Sequence, residues 1–179
     1  MSARKILILV GDQADGPPLT DLLEKLQATG HLVQIASPGK KAGHNIPTTT
    51  GDLTPSVDFD TLNADDFDAL ILPGSRSPEY LRVEPSSLQL VRFFFESTFR
   101  SSGRAPDYGR LDPRVLELIQ KFTKTNKPIA AVGQSVGILD AARDQPESAT
   151  TPNIVTAPSN ANPADWLGKL LKVLEDPKT

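Results

Sequence analysis

Short apolar runs that fail to alternate with polar residues, separated by stretches of helical periodicity, leave this chain few folds to choose from. Lys5–Val10, Leu32–Ala36, Ala69–Leu72 and Pro128–Val132 are such runs, and Ile154–Ala157 is a less marked fifth. A strand with one face in water alternates; these do not, so both of their faces must be covered, as in parallel sheets. Between them, Pro17-Pro18 leads into Leu19, Leu22, Leu23 and Leu26, an i, i+3, i+4, i+7 stripe that stops at Gly30. Further on, Asn162 can cap a helix with Pro163 at its first position. Trp166, Leu167, Leu170, Leu171 and Leu174 then give that helix one apolar face. Alternating strands and helices imply right-handed crossovers and an α/β fold: a doubly wound parallel sheet in a flavodoxin-like three-layer sandwich. With 179 residues, positions 1–179 fit a single domain. Ligands of such sheets sit at the carboxyl ends of the strands, here Gly11–Gly16, Ser37–Gly39, Pro73–Arg76 and Gly133–Gly137.

Composition removes several function classes. The net charge is −3, and no Lys/Arg stripe offers a nucleic-acid footprint. No run approaches the ~20 apolar residues of a membrane span. The run Ile6–Val10 is too short for a signal peptide and meets Gly11-Asp12 rather than a small-residue cleavage site, so a cytoplasmic location is expected. There are no cysteines, which removes disulfides, thiolate metal sites and a cysteine nucleophile. His31 and His44 are the only imidazoles, too few for a multi-histidine metal site. The loop GDQADG lacks the G-x-G-x-x-G spacing that cradles pyrophosphate, and no cofactor is expected. His31, at a helix-to-strand joint, reads as structural, while His44 lies in a loop near the rim of the expected pocket. The expected partners are a small-molecule ligand and a second copy of the chain in a homodimer. Phe93, Phe94, Phe95 and Phe99 cover more than one helix face, which points some of them at such an interface.

Residues 75–91, SRSPEYLRVEPSSLQLV, recur 28 positions later at 103–119 as GRAPDYGRLDPRVLELI. Arg76/Arg104, Pro78/Pro106, Tyr80/Tyr108, Arg82/Arg110, Pro85/Pro113, Leu88/Leu116 and Leu90/Leu118 are identical pairs, and both tyrosines of the chain fall in this register. Chance likeness between two amphipathic helices does not account for the matching R-x-P-x-Y-x-R leaders. The expectation is an internal duplication, 75–102 copied to 103–130, that adds one loop–helix unit to the domain.

Several blocks together resemble the ThiJ/PfpI family, within the class I glutamine amidotransferase-like superfamily. KPIAAVGQSVGILDAA (Lys127–Ala142) is similar to that family's strand–elbow–helix, K-P-V-A-A-I-C-H-G-P-x-x-L. ALILPGSRSPEYLR (Ala69–Arg82) resembles its D-A-L-[VI]-L-P-G-G-R-x-P-E block, and TGHLVQIASPG (Thr29–Gly39) its second strand. The likeness covers about residues 4–142 and returns in NIVTAPSNANPADWLGKLL, but only a short Pro/Ser/Thr-rich connector joins Ala142 to Asn153. The resemblance implies protease- or amidase-like chemistry by a strained, exposed cysteine at the elbow. That thiolate would be tuned by the helix N-terminus and by an acid from the loop after strand one. Aligned without gaps, Cys-His-Gly becomes Gly133-Gln134-Ser135, so Gly133 stands in the nucleophile position. Asp15 matches the acid best, with Asp12 second, and Gly74 and Ser75 match the oxyanion donors. Gly74, Ser75 and Gln134 are thus the ligand-binding candidates.

Gly133–Gly137 also spells G-x-S-x-G, the nucleophile elbow of serine hydrolases. Those enzymes place their histidine after the serine, and none follows His44. The family register puts Ser135 two positions past the nucleophile, where it can cap the following helix. Three functions remain open: a binding or interaction module that has lost cysteine catalysis, a hydrolase or amidase using Ser135 or an Asp15-activated water, and a structural oligomer built by the duplicated helix.

Overall fold

The computed structural model describes residues 3–11, 16–38, 40–48, 51–73, 82–83, 110–133, 135, 136, 139, 153–158 and 162–175. In chain order the elements are β1 (Lys5–Leu9), α1 (Gly16–Ala28), β2 (Leu32–Ala36), a hairpin of β3 (Ile46–Thr48) and β4 (Gly51–Leu53), and two 3-10 turns, Phe59–Thr61 and Ala64–Asp66. There follow β5 (Ala69–Leu72), β6 (Arg82–Val83), β7 (Arg110–Leu111), α2 (Pro113–Lys124), β8 (Ile129–Val132), β9 (Ile154–Ala157) and α3 (Pro163–Glu175). The main sheet is ordered β2-β1-β5-β8-β9, and every pair in it is parallel. Taking these five strands in their own sequence order, this is 2-1-3-4-5, the doubly wound flavodoxin-like arrangement.

The unalternating runs form the middle of the sheet. Every residue of β5 and β8 is buried, as are four of the five in β1, whereas edge strand β2 starts at an exposed Leu32. Alternate residues feed two cores. On one face Ile6, Ile8, Ile71 and Val155 pack under Leu22 and Leu26 of α1 and Trp166, Leu167 and Leu170 of α3. On the other, Leu7, Leu9, Leu70 and Ala131 pack under Val115, Ile119 and Phe122 of α2, with Phe59 and Phe67 from the segment before β5. Helix, sheet, helix: the three layers are those expected.

The helix ends follow from local chemistry. Asn162 Oδ1 accepts from the Ala164 amide at 3.0 Å and caps α3, with Pro163 at its first position. Asp112 does the same for α2, accepting from the Arg114 amide at 2.9 Å. At the other end of α2, Asn126 adopts φ 55°. The Lys127 amide reaches back to the Phe122 carbonyl at 3.0 Å, the 6→1 bond of a Schellman close. Asn153 Nδ2 then donates to the Asn126 carbonyl at 2.8 Å, joining this turn to the start of β9.

Candidate functional site

The sheet order reverses between β1 and β5, and the crevice of a doubly wound sheet opens there, at the carboxyl ends. In this chain those ends are Gly11 and Pro73, with Gly133 beside them at the end of β8. Gly133 has φ 59°, in the left-handed region that a glycine enters without steric cost. Its amide donates to the Ala157 carbonyl at 2.7 Å, and its carbonyl accepts from the Val136 amide at 3.2 Å. Residues 135, 136 and 139 are helical, and Leu139 is buried against the α2 face. Strand, left-handed turn, helix: the elbow path is present, and its pivot has no side chain.

Ser135 lies two residues on, with 0% exposure. Its Oγ donates to the Pro73 carbonyl at 2.5 Å. The bond runs across to the neighbouring strand, where the sequence suggested a cap at the helix start. The elbow is therefore tied on both sides, to β9 through the Gly133 amide and to β5 through the Ser135 hydroxyl. Asp12, Asp15, Gly74, Ser75 and Gln134 lie outside the described residues, as do Phe93, Phe94, Phe95 and Phe99.

His31 sits at the opposite end of the sheet, its Nδ1 accepting from the Arg4 amide at 3.2 Å, in keeping with a structural role. His44 is exposed in the loop before β3, where its amide donates to the Lys41 carbonyl. Among the described residues no group of three or more His, Asp or Glu could hold a metal ion. No described helix is long and apolar enough to cross a membrane.

Sequence reasoning missed one charged cluster. Arg114 meets Asp112 at 2.8 Å and Asp60 at 2.5 Å, and its guanidinium lies 5.3 Å from the centre of the Phe59 ring. The Arg114 hydrogen bond holds the Asp112 carboxyl below the usual carboxylate range, and the Arg114 amide helps; partial burial opposes both. A cleft of about 250 Å³ runs beside this cluster, lined by Phe59, Asp60, Leu62, Arg114, Leu118 and Lys121 among others, but none of Gly11, Pro73 or Gly133 faces it. Its guanidinium and carboxylates are already engaged with one another, which fits a clasp between α2 and the 59–61 turn. The cap signal Asp112-Pro113 could have found half of it; Asp60, 54 positions from Arg114, left no local trace.

The profile of the DJ-1/PfpI family matches residues 4–100, just over half of the chain. This chain belongs to the DJ-1/PfpI family. The match ends before β8 and does not reach Gly133. Similar curated proteins include DJ-1 homolog D of Arabidopsis thaliana, 34% identical over 54% of this chain and 28% of that protein. Deglycase PfpI of Pyrococcus furiosus is 36% identical over 51% of this chain and 54% of its own length. The chain thus spans about half, or less, of the length of these relatives. Among solved structures, a ThiJ/PfpI domain protein of Brachyspira murdochii superposes with a TM-score of 0.64 at 14% identity, covering 98% of both chains. The putative protease I of Bacteroides thetaiotaomicron gives 0.60 at 16%, over 98% of this chain and all of that one. At such identities these structures speak for the DJ-1/PfpI fold alone.

Proposed function

We propose that this chain is a DJ-1/PfpI-fold binding module that no longer performs cysteine chemistry and takes a small-molecule ligand at the carboxyl-end crevice. The observation that carries this reading is Gly133, φ 59°, at the elbow of a chain with no cysteine. Thiolate chemistry needs a sulfur at the pivot, where the helix N-terminus can stabilise its charge. The deglycase and protease names belong to relatives, and the reading does not extend those activities to this chain. A serine hydrolase is the weaker alternative. The Ser135 hydroxyl is buried and donates to a carbonyl, and no histidine follows it in the sequence to take its proton.

The test is a turnover assay of the purified protein with a peptide, an amide and a glyoxal substrate. No activity above background is expected. Turnover that scales with protein and survives repurification overturns the reading. If that turnover then disappears in Ser135→Ala, the serine alternative replaces it.

A further inference from the structure

Each R-x-P-x-Y-x-R leader ends in a two-residue strand, Arg82–Val83 or Arg110–Leu111, and the two strands pair with each other, antiparallel. They occupy the same positions of the two 28-residue units: Arg82 corresponds to Arg110, and Val83 to Leu111. The register sets Arg82 opposite Leu111 and Val83 opposite Arg110. In the positions of the repeated unit this pairing is two-fold symmetric, each copy's arginine position facing the other copy's apolar position, and a slip of one residue would put Arg82 directly opposite Arg110. Like charges facing each other across a ladder are destabilising, and in the observed register each arginine position faces an apolar one.

A ribbon this short is marginal in water unless something else holds a strand in place. Here the holder is α2. Leu111 is followed immediately by Asp112, whose carboxylate caps the helix and grips Arg114. β7 is thus presented by a fixed helix start. Because α2 runs back from the end of the β5 crossover to the beginning of β8, that start lies at the carboxyl-end side of the sheet, the side of the crevice.

We propose that the second copy of the repeated unit is the strand partner of the first, so that the inserted unit docks onto its own duplicate within one chain. The partner that the Arg82–Val83 strand fits is a second copy of the same segment, supplied in cis and held by the cap of α2. The inference rests on reading 75–130 as two copies of one unit, and it is independent of whether the elbow retains chemistry.

The absence of native cysteines makes the register directly testable. Arg82→Cys/Leu111→Cys in the full chain should form an intrachain disulfide under mild oxidation, about tenfold faster than Arg82→Cys/Arg110→Cys, whose two positions fall on opposite faces of the ribbon. Preferential cross-linking of the 82/110 pair, a covalent dimer, or no disulfide in either variant overturns the proposal. As a second measurement, excision of residues 76–103 removes the partner strand. Hydrogen exchange at residues 110 and 111 should then accelerate relative to the full chain, while β8 stays protected. Unchanged exchange there overturns the proposal, and if the excised chain does not fold, the cross-linking rates decide alone.

Discussion

A glycine at the left-handed pivot after β8 sets what that turn will accept in its place. An L side chain in the left-handed region costs roughly 1–2 kcal/mol, so Gly133→Ala should lower stability by about that much in denaturant melts. An unchanged midpoint would mean that the turn relaxes out of φ 59°. Gly133→Cys carries the same strain but places a thiol at the helix start. Its alkylation should titrate below the ~8.5 of a free cysteine if the helix terminus dominates, and comparison with Gly133→Cys/Asp15→Asn reads the contribution of Asp15. An unreactive thiol, or an unshifted profile in both variants, would show a rebuilt site. Asp112 gives a separate pH signature. Its folded-state pKa is lowered, so its contribution is present above about pH 4 and fades as the pH falls through the lowered value. Asp112→Asn should therefore cost about 1 kcal/mol at neutral pH and progressively less as the pH falls through the lowered value, because the asparagine keeps a cap acceptor and loses only the charge. A cost that does not vary with pH would assign the whole effect to the cap.

Elements with strong local grammar were legible in the sequence. Leu32–Ala36, Ala69–Leu72 and Ile154–Ala157 are strands over the residues read from their apolar runs, and the Asn162-Pro163 start of α3 is where the cap and proline place it. The β3–β4 hairpin escaped notice because its strands are three residues each and carry Pro47, Asp52 and Gly51, none of them a strand signal. The β6–β7 ribbon escaped for a related reason: two-residue strands have no periodicity to read. At the end of β8, a glycine following a buried strand was legible, but the tie from Ser135 to Pro73 spans 62 positions and has no sequence signature. The close of α2 offers a sharp test. Asn126→Gly should be tolerated, whereas Asn126→Val forces a β-branched residue to φ 55° and should cost about 2 kcal/mol, measured as a lower thermal midpoint. Equal stability of the two variants would show that the left-handed residue is not what ends the helix.

Among the described residues the five-stranded main sheet separates two cores. Ile8 belongs to the layer under α1 and α3, and Ile119 to the layer under α2, with the sheet between them. Ile8→Val and Ile119→Val should each cost about 1 kcal/mol, and the double variant should show the sum to within ~0.5 kcal/mol in a single cooperative transition. Two separated transitions would mean that the faces unfold apart. Leu32, at 62% exposure, is the one large hydrophobic exposed among the described residues, at the start of edge strand β2. The double anchorage of the elbow has a consequence for how such chains are recognised. The turn fastens β8 to the strands on either side, β9 and β5, through a backbone amide and the Ser135 hydroxyl, with no side chain at its pivot. A search template scoring backbone path alone would accept this chain as an enzyme, whereas one requiring a sulfur atom would reject it. In such a fold, the path of the backbone and the chemistry at its pivot are separate signatures.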